Sequence, residues 1–158
     1  MPDASITARA FSSDGFYKSG DLMRQHPSGG YVVEGRKKDL INRGGEKISA
    51  EEIENFVLSH PAVKNVACIP IPDADLGERM CACVLLKEGM TMSFPELKAF
   101  LIAKEIAKYK LPERLELLPD FPLSPFGKVS KKALVEMISA KMAAERAHGV
   151  TSGQEARK

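Results

Sequence analysis

Long apolar runs are missing from this sequence. The longest stretch without Asp, Glu, Lys or Arg is nine residues, 25–33, and it contains Pro27, Gly29 and Gly30. A membrane-spanning helix needs about 20 apolar residues, so none is expected. The opening MPDASITARAF has an acid at Asp3 and no apolar centre, and it does not read as a secretory signal. Cysteine and histidine are also scarce. Cys68, Cys81 and Cys83 are odd in number, which argues against a disulfide scaffold, and with His26, His60 and His148 they form no CxxC or HxxxH pair. A zinc site of standard spacing is therefore not expected. Cys81 and Cys83, two apart in MCACVLL, would share one face of a strand and read as small hydrophobes in a sheet. A reducing cytoplasm suits such a chain. An excess of one charge sign is lacking too. Lys and Arg total 23, Asp and Glu 21, for a net charge of +2, whereas a dedicated nucleic-acid binder usually carries a strong basic excess.

What is present suits an ordinary domain. Hydrophobic residues make up 44% and charged residues 28% of 158, and a chain of this length buries about 68–70% of its unfolded surface without staples. GFYKSGDLMR and GYVVEG, either side of HPSGG, read as a hairpin. The basic connector RKKD follows, then NRGGEK, whose Gly44 and Gly45 can take positive φ or admit a ligand to the backbone. Ser49 and Glu52 make the S-x-x-E capping pattern, and Ile53, Phe56 and Val57 give a helical stripe that His60-Pro61 ends. Apolar strands are expected over 63–71 and 80–87, joined by PDADLGE. A second capped helix opens at Ser93 with Glu96 and buries Leu97, Phe100 and Leu101. A short strand over 114–118 precedes the loop PLSPFGK. A last helix starts at Ser130, with Leu134, Met137, Ile138 and Met142 toward the core. The ending HGVTSGQEARK reads as disordered. No internal repeat is visible. Interspersed elements with short strand links predict a small α+β domain, with a mixed or antiparallel sheet and packed helices.

FYKSGD (16–21), GRKKDLINRGGEKISAEEIE (35–54) and PLSPFGKVSKKAL (122–134) occur in this order. Together they resemble the C-terminal end of the acyl-adenylate-forming (AMP-binding) superfamily over about residues 10–140. INRGGEKI, the following AEEIE, and KVSKKAL are most similar to the aryl-acid subgroup, the 2,3-dihydroxybenzoate– and salicylate–AMP ligases of siderophore assembly. The resemblance implies an enzyme that uses ATP and Mg2+ to convert an aromatic carboxylic acid to acyl-AMP. The acyl group then passes to a phosphopantetheine thiol on a carrier protein or CoA. It also implies that 1–38 is the last piece of a large N-terminal domain, 39–142 a mobile lid, and 143–158 a flexible tail. The large domain, which would hold the acid, most of the ATP and the Mg2+, has no counterpart here, so the segment alone is expected to be inactive and to hold no metal.

Residue roles carry over by the same resemblance. Asp21 would accept hydrogen bonds from the ATP ribose hydroxyls, for which two carboxylate oxygens are suited; otherwise it is an Asp in an S-G-D turn. Arg36 would sit near ribose and phosphates, where a planar guanidinium recognises both, or else be a solvated loop arginine. Val33 would pack beside the ribose. Asp39 would be the hinge, absorbing a φ/ψ change between rigid neighbours, or one member of a surface charge run. Gly44 and Gly45 would line the pantetheine tunnel, or simply form a tight turn between strand and helix. Lys128 would offset the repulsion between carboxylate and α-phosphate during adenylation, or else be an exposed lysine before a basic helix start. PLSPFGKV is not a Walker loop, since Pro122 replaces the first Gly and Val129 follows Lys128. Two alternatives remain. One is the lid of another acyl-CoA synthetase. The other is a stand-alone module that uses Lys37, Lys38, Arg43, Lys47 and the 128–132 basic run to dock a carrier protein or nucleic acid.

Overall fold

The computed structural model describes residues 9–155. Residues 1–8 of the first expected unit and 156–158 of the expected tail lie outside the described residues. The hairpin forms from β1 (Asp21–Gln25) and β2 (Tyr31–Arg36). Its first arm is shorter than the apolar pattern predicts, because Gly20 at φ +80° leaves the extended conformation. A one-turn 3-10 helix, Lys37–Asp39, leads into the larger sheet.

There β3 (Leu40–Arg43) and β4 (Glu46–Ser49) pair across Gly44 and Gly45. Both glycines have positive φ, 57° and 95°, as a type I′ turn requires. The glycines thus join strand to strand, not strand to helix: Ile48 pairs with Ile41 and both are fully buried, so burial of that pair fixes the extra strand.

The helix α1 (Ala50–Leu58) starts as expected at Ser49, whose Oγ accepts the Glu52 N–H at 3.3 Å. The reciprocal half of the capping box is diverted. The Glu52 carboxylate instead accepts two 2.8 Å bonds from Lys110 Nζ. At α2 (Phe94–Ala103) the box between Ser93 and Glu96 is complete. Long strands β5 (Val63–Asp73) and β6 (Gly77–Leu86) form an antiparallel pair. Their connection shrinks to 74–76, because the Asp73 carboxylate accepts the N–H groups of Asp75 and Leu76 at 3.1 and 3.0 Å. The short β7 (Arg114–Leu117) joins β6 in parallel. The sheet order is β4-β3-β6-β5, with β7 also on β6.

Strand β6 is the axis of the core, and its pleat divides it. Met80, Ala82 and Val84 join Ile53 and Val57 of α1 and Leu97 and Leu101 of α2 on one face. Cys81, Cys83 and Leu85 join Leu134 and Ile138 of α3 (Lys131–Glu155) on the other. A strand buried on both faces explains the unbroken apolar run MCACVLL. Fully burying each large apolar side chain here contributes about 1.5–3 kcal/mol. The expected α+β architecture is what forms.

Two details of α3 differ from expectation. Leu134, Ile138 and Met142 face inward with Val135, but Met137 is 42% exposed, because the stripe follows i, i+4, i+8. The helix also runs to Glu155, through much of the expected tail, since Ala140, Ala143, Ala144 and Ala147 favour helix. The outer edge of β5 offers few backbone donors. The Val66 N–H donates to Asn65 Oδ1 at 2.9 Å, that of Cys68 to Glu54 Oε1 at 2.7 Å, and Pro70 and Pro72 have none.

Candidate active-site face

Asp21 and Arg36 come together through strand register, as the first residue of β1 faces the last of β2. Arg36 Nε donates to Asp21 Oδ1 at 3.1 Å. Their side chains are 56% and 31% exposed, and an ion pair that exposed contributes about 0–1 kcal/mol. It is weak enough to yield to another anion or hydroxyl.

Immediately after Arg36, the Lys37–Asp39 turn links the hairpin to β3. Asp39 therefore sits on the covalent connection between the two sheets. Arg36 and Asp39 line a cleft of about 570 Å³ that opens beside Cys68 and Pro70 of β5 and is closed by Lys128, Lys131 and Lys132. Three expected site residues thus meet in one cleft: Arg36, Asp39 and Lys128. Asp21 reaches it through Arg36. Val33 borders a different hollow, between the hairpin and α1.

Lys128 is presented by a tight turn. The Ser124 N–H donates to the Lys128 carbonyl at 2.7 Å, the Lys128 N–H to Ser124 Oγ at 3.3 Å, and Gly127 N–H to the Ser124 carbonyl at 2.9 Å. Gly127 turns the chain at φ +75°. Lys128 is exposed, so its side chain can reach a ligand in the cleft. Lys128 and Lys132 line the cleft beside Arg36 and Lys131, which are paired with Asp21 and Glu54, a basic lining that suits an anionic ligand.

Gly44 and Gly45 lie elsewhere. They follow Arg43 at the end of β3 opposite Asp39, and a four-residue strand at about 3.3 Å per residue separates them from Asp39 by roughly 13 Å. The Gly44 N–H donates to the Leu76 carbonyl at 2.8 Å. A β-carbon on Gly44 would come within 3.1 Å of Leu76 Cδ2, whereas one on Gly45 would meet nothing within 4 Å. Arg43 anchors this end, its Nε and Nη2 donating to Glu113 Oε1 at 3.0 and 2.7 Å. That hydrogen bonding holds the Arg43 guanidinium above its ordinary value.

Several charged anchors escaped the sequence reading: Glu54, Glu113 and the buried Glu116, which Arg114 and Lys141 pair. Glu54 and Glu113 have partners distant in sequence, and Glu116 joins Arg114, two residues away, to Lys141, 25 residues on. The cysteines behave as the small hydrophobes expected. All three are buried and unpaired. Burial, then the charge of Glu54, pushes the Cys68 thiol well up; a hydrogen bond with Cys83, then burial, does the same for Cys81. No helix among the described residues is long and apolar enough to cross a membrane.

The five-stranded sheet between helices has the fold of the C-terminal domains of adenylate-forming enzymes. The fold superposes on that of ATP-bound MatB from Rhodopseudomonas palustris with a TM-score of 0.78 at 32% identity, covering 87% of this chain and 27% of that one. Residues 52–128 match the family described as AMP-binding enzyme C-terminal domain. A salicylyl-CoA synthase / salicylate adenylyltransferase from a Streptomyces species is 51% identical over 138 residues, 87% of this chain and 25% of the relative. A 2,3-dihydroxybenzoate-AMP ligase of Bacillus subtilis is 50% identical over 137 residues, again 87% and 25%. The chain spans about a quarter of the length of these curated relatives.

Proposed function

We propose that this chain is the lid of an ATP-dependent ligase that activates an aromatic carboxylic acid of the 2,3-dihydroxybenzoate type. The acyl-AMP formed would be passed to a phosphopantetheine thiol of a carrier protein during siderophore assembly in the cytoplasm. The observation that carries this reading is the cleft in which exposed Lys128 meets Arg36 and the hinge position Asp39. Lys128 would neutralise charge between the acid's carboxylate and the α-phosphate as the two anions close. Arg36 would turn from Asp21 to phosphate, freeing the Asp21 carboxylate for the ribose hydroxyls. Rotation at Asp39 would then withdraw Lys128 and bring the Gly44–Gly45 turn to the thiol. With no β-carbon at Gly45 and open space around it, the backbone can border a narrow channel. Because this chain spans about a quarter of the length of its relatives, we assign Mg2+, the acid and most of the ATP contacts to the part of the ligase outside this segment. The segment alone would then catalyse no ATP–pyrophosphate exchange.

The test is to graft this chain in place of the matching quarter of the Bacillus subtilis ligase. Lys128→Ala in the graft should lower adenylate formation about 10²–10³-fold, while transfer from a preformed acyl-adenylate stays within about twofold of the parent. Equal loss of both half-reactions would overturn the lid reading. CoA as acceptor is the second reading, favoured by the name of the salicylyl-CoA synthase relative. Supplying CoA and a carrier protein to the graft in parallel separates the two.

A further inference from the structure

The turn that presents Lys128 is flanked by Phe121 and Val129, which pack into the core with Leu134 of α3, and an ion pair to one carboxylate oxygen adds a polar tie. Glu54 lies on α1 with its side chain 18% exposed. Its Oε1 accepts the Cys68 N–H of β5 at 2.7 Å and sits 2.7 Å from Nζ of Lys131, the first residue of α3. Lys131 follows Lys128 closely, and the backbone between them is held on both sides. The Ser130 N–H donates to the Pro122 carbonyl at 2.8 Å, and Leu123 bridges to Val129. Ser130 in turn caps α3, its carbonyl accepting the Leu134 N–H at 3.0 Å and its Oγ the Ala133 N–H at 3.3 Å. The foot of the Lys128 turn is thus fused to the start of α3, and that start is pinned to α1 and β5 by Glu54. With both side chains at least two-thirds buried, the pair is less screened than a surface pair.

We propose that Glu54 is a positioning residue: acting through Lys131, it fixes the direction in which Lys128 is presented. The consequence for catalysis rests on the role given to Lys128 above; the consequence for the turn does not. Glu54→Gln is the informative variant. It keeps an oxygen acceptor for the Cys68 N–H and removes only the charge that holds Lys131. Lys131→Met breaks the same link from the other side without touching Cys68.

In the 158-residue chain, amide hydrogen exchange is measured for both variants and the double variant. Each single variant should speed exchange at Ser124, Lys128 and Ser130 about tenfold and leave Cys83 and Val84 of β6 unchanged. The double variant should be no faster than either single one. Unchanged turn amides, additive effects, or a parallel rise at β6 would overturn the proposal. In the graft, Glu54→Gln should slow adenylation about 10–100-fold, the scale of a misplaced catalytic group, and leave acyl transfer within about twofold of the parent. If Lys128→Ala abolishes adenylation while Glu54→Gln leaves it intact, the positioning role fails and the lid reading stands. If Lys128→Ala leaves adenylation intact, the lid reading fails, and the exchange data alone decide what Glu54 does for the turn.

Discussion

Lys128 and Gly44 sit on two edges of the same small domain, and different physics holds each. At Lys128 the group proposed to act is a side chain, exposed at its tip, with an ion pair between helices beneath it. At Gly44 it is the backbone, fixed by a left-handed conformation, a hydrogen bond to Leu76 and the Arg43 anchor. One edge can be changed without disturbing the fold, the other cannot. A charged tip can be mobile because its task is electrostatic and acts over several ångströms. A backbone that borders a channel must be rigid, because its task is shape.

The sharpest way to break this contrast is to place a β-branched side chain at Gly44. Gly44→Val forces φ +57° on a residue that avoids it and crowds Leu76. A left-handed residue costs about 1–2 kcal/mol, which should lower the melting temperature by roughly 3–8 °C for a domain of this size. Lys128→Ala should melt within about 1 °C of the parent, as exposed substitutions usually do. Equal melting shifts would end the comparison. A smaller effect is expected from Glu113→Gln, which weakens the Arg43 anchor. A partly exposed pair is worth about 1 kcal/mol, so melting should fall by roughly 2–4 °C, with faster exchange at the Gly44 amide and none at Ser124.

The smallest effect is on pH. Hydrogen bonds from Leu76, with help from Asp75 and Arg79, hold the Asp73 carboxyl below its usual 3.8. A depressed acid contributes stability that is complete above the ordinary value and fades as pH falls through the lowered one. Because Leu76 also receives the Gly44 N–H, acid should loosen the glycine edge. After correction for intrinsic rates, the Gly44 amide should exchange faster from about pH 4 downward, and Asp73→Asn should remove that dependence. A variant that keeps it would place the acid sensitivity elsewhere.

Much of this was legible in the residues. Ser49 and Ser93 announce helix starts because a cap acts over three residues. Adjacent glycines announce a turn because positive φ is a local property. The paired strands of the core follow from short apolar runs. What escaped depends on partners far along the chain. Glu52 abandons its own capping box because Lys110 arrives from elsewhere. Met137 faces out because the sheet lies under Leu134 and Ile138. The meeting of Arg36 and Lys128 required the folded chain, and only the family resemblance anticipated it. Glu54 ends the segment 35–54 that carries the resemblance, yet nothing there gives its role, since its partners Cys68 and Lys131 lie far along the chain.

The outer margin of β5 has one more consequence. From Val66 to Pro72, every second backbone nitrogen is occupied by a side chain or lacks its hydrogen. A stray strand approaching that margin finds few donors, so edge-to-edge aggregation is discouraged where a small sheet is most vulnerable to it. For a domain proposed to release its neighbour at every turnover, a margin poor in donors disfavours misassembly at each departure.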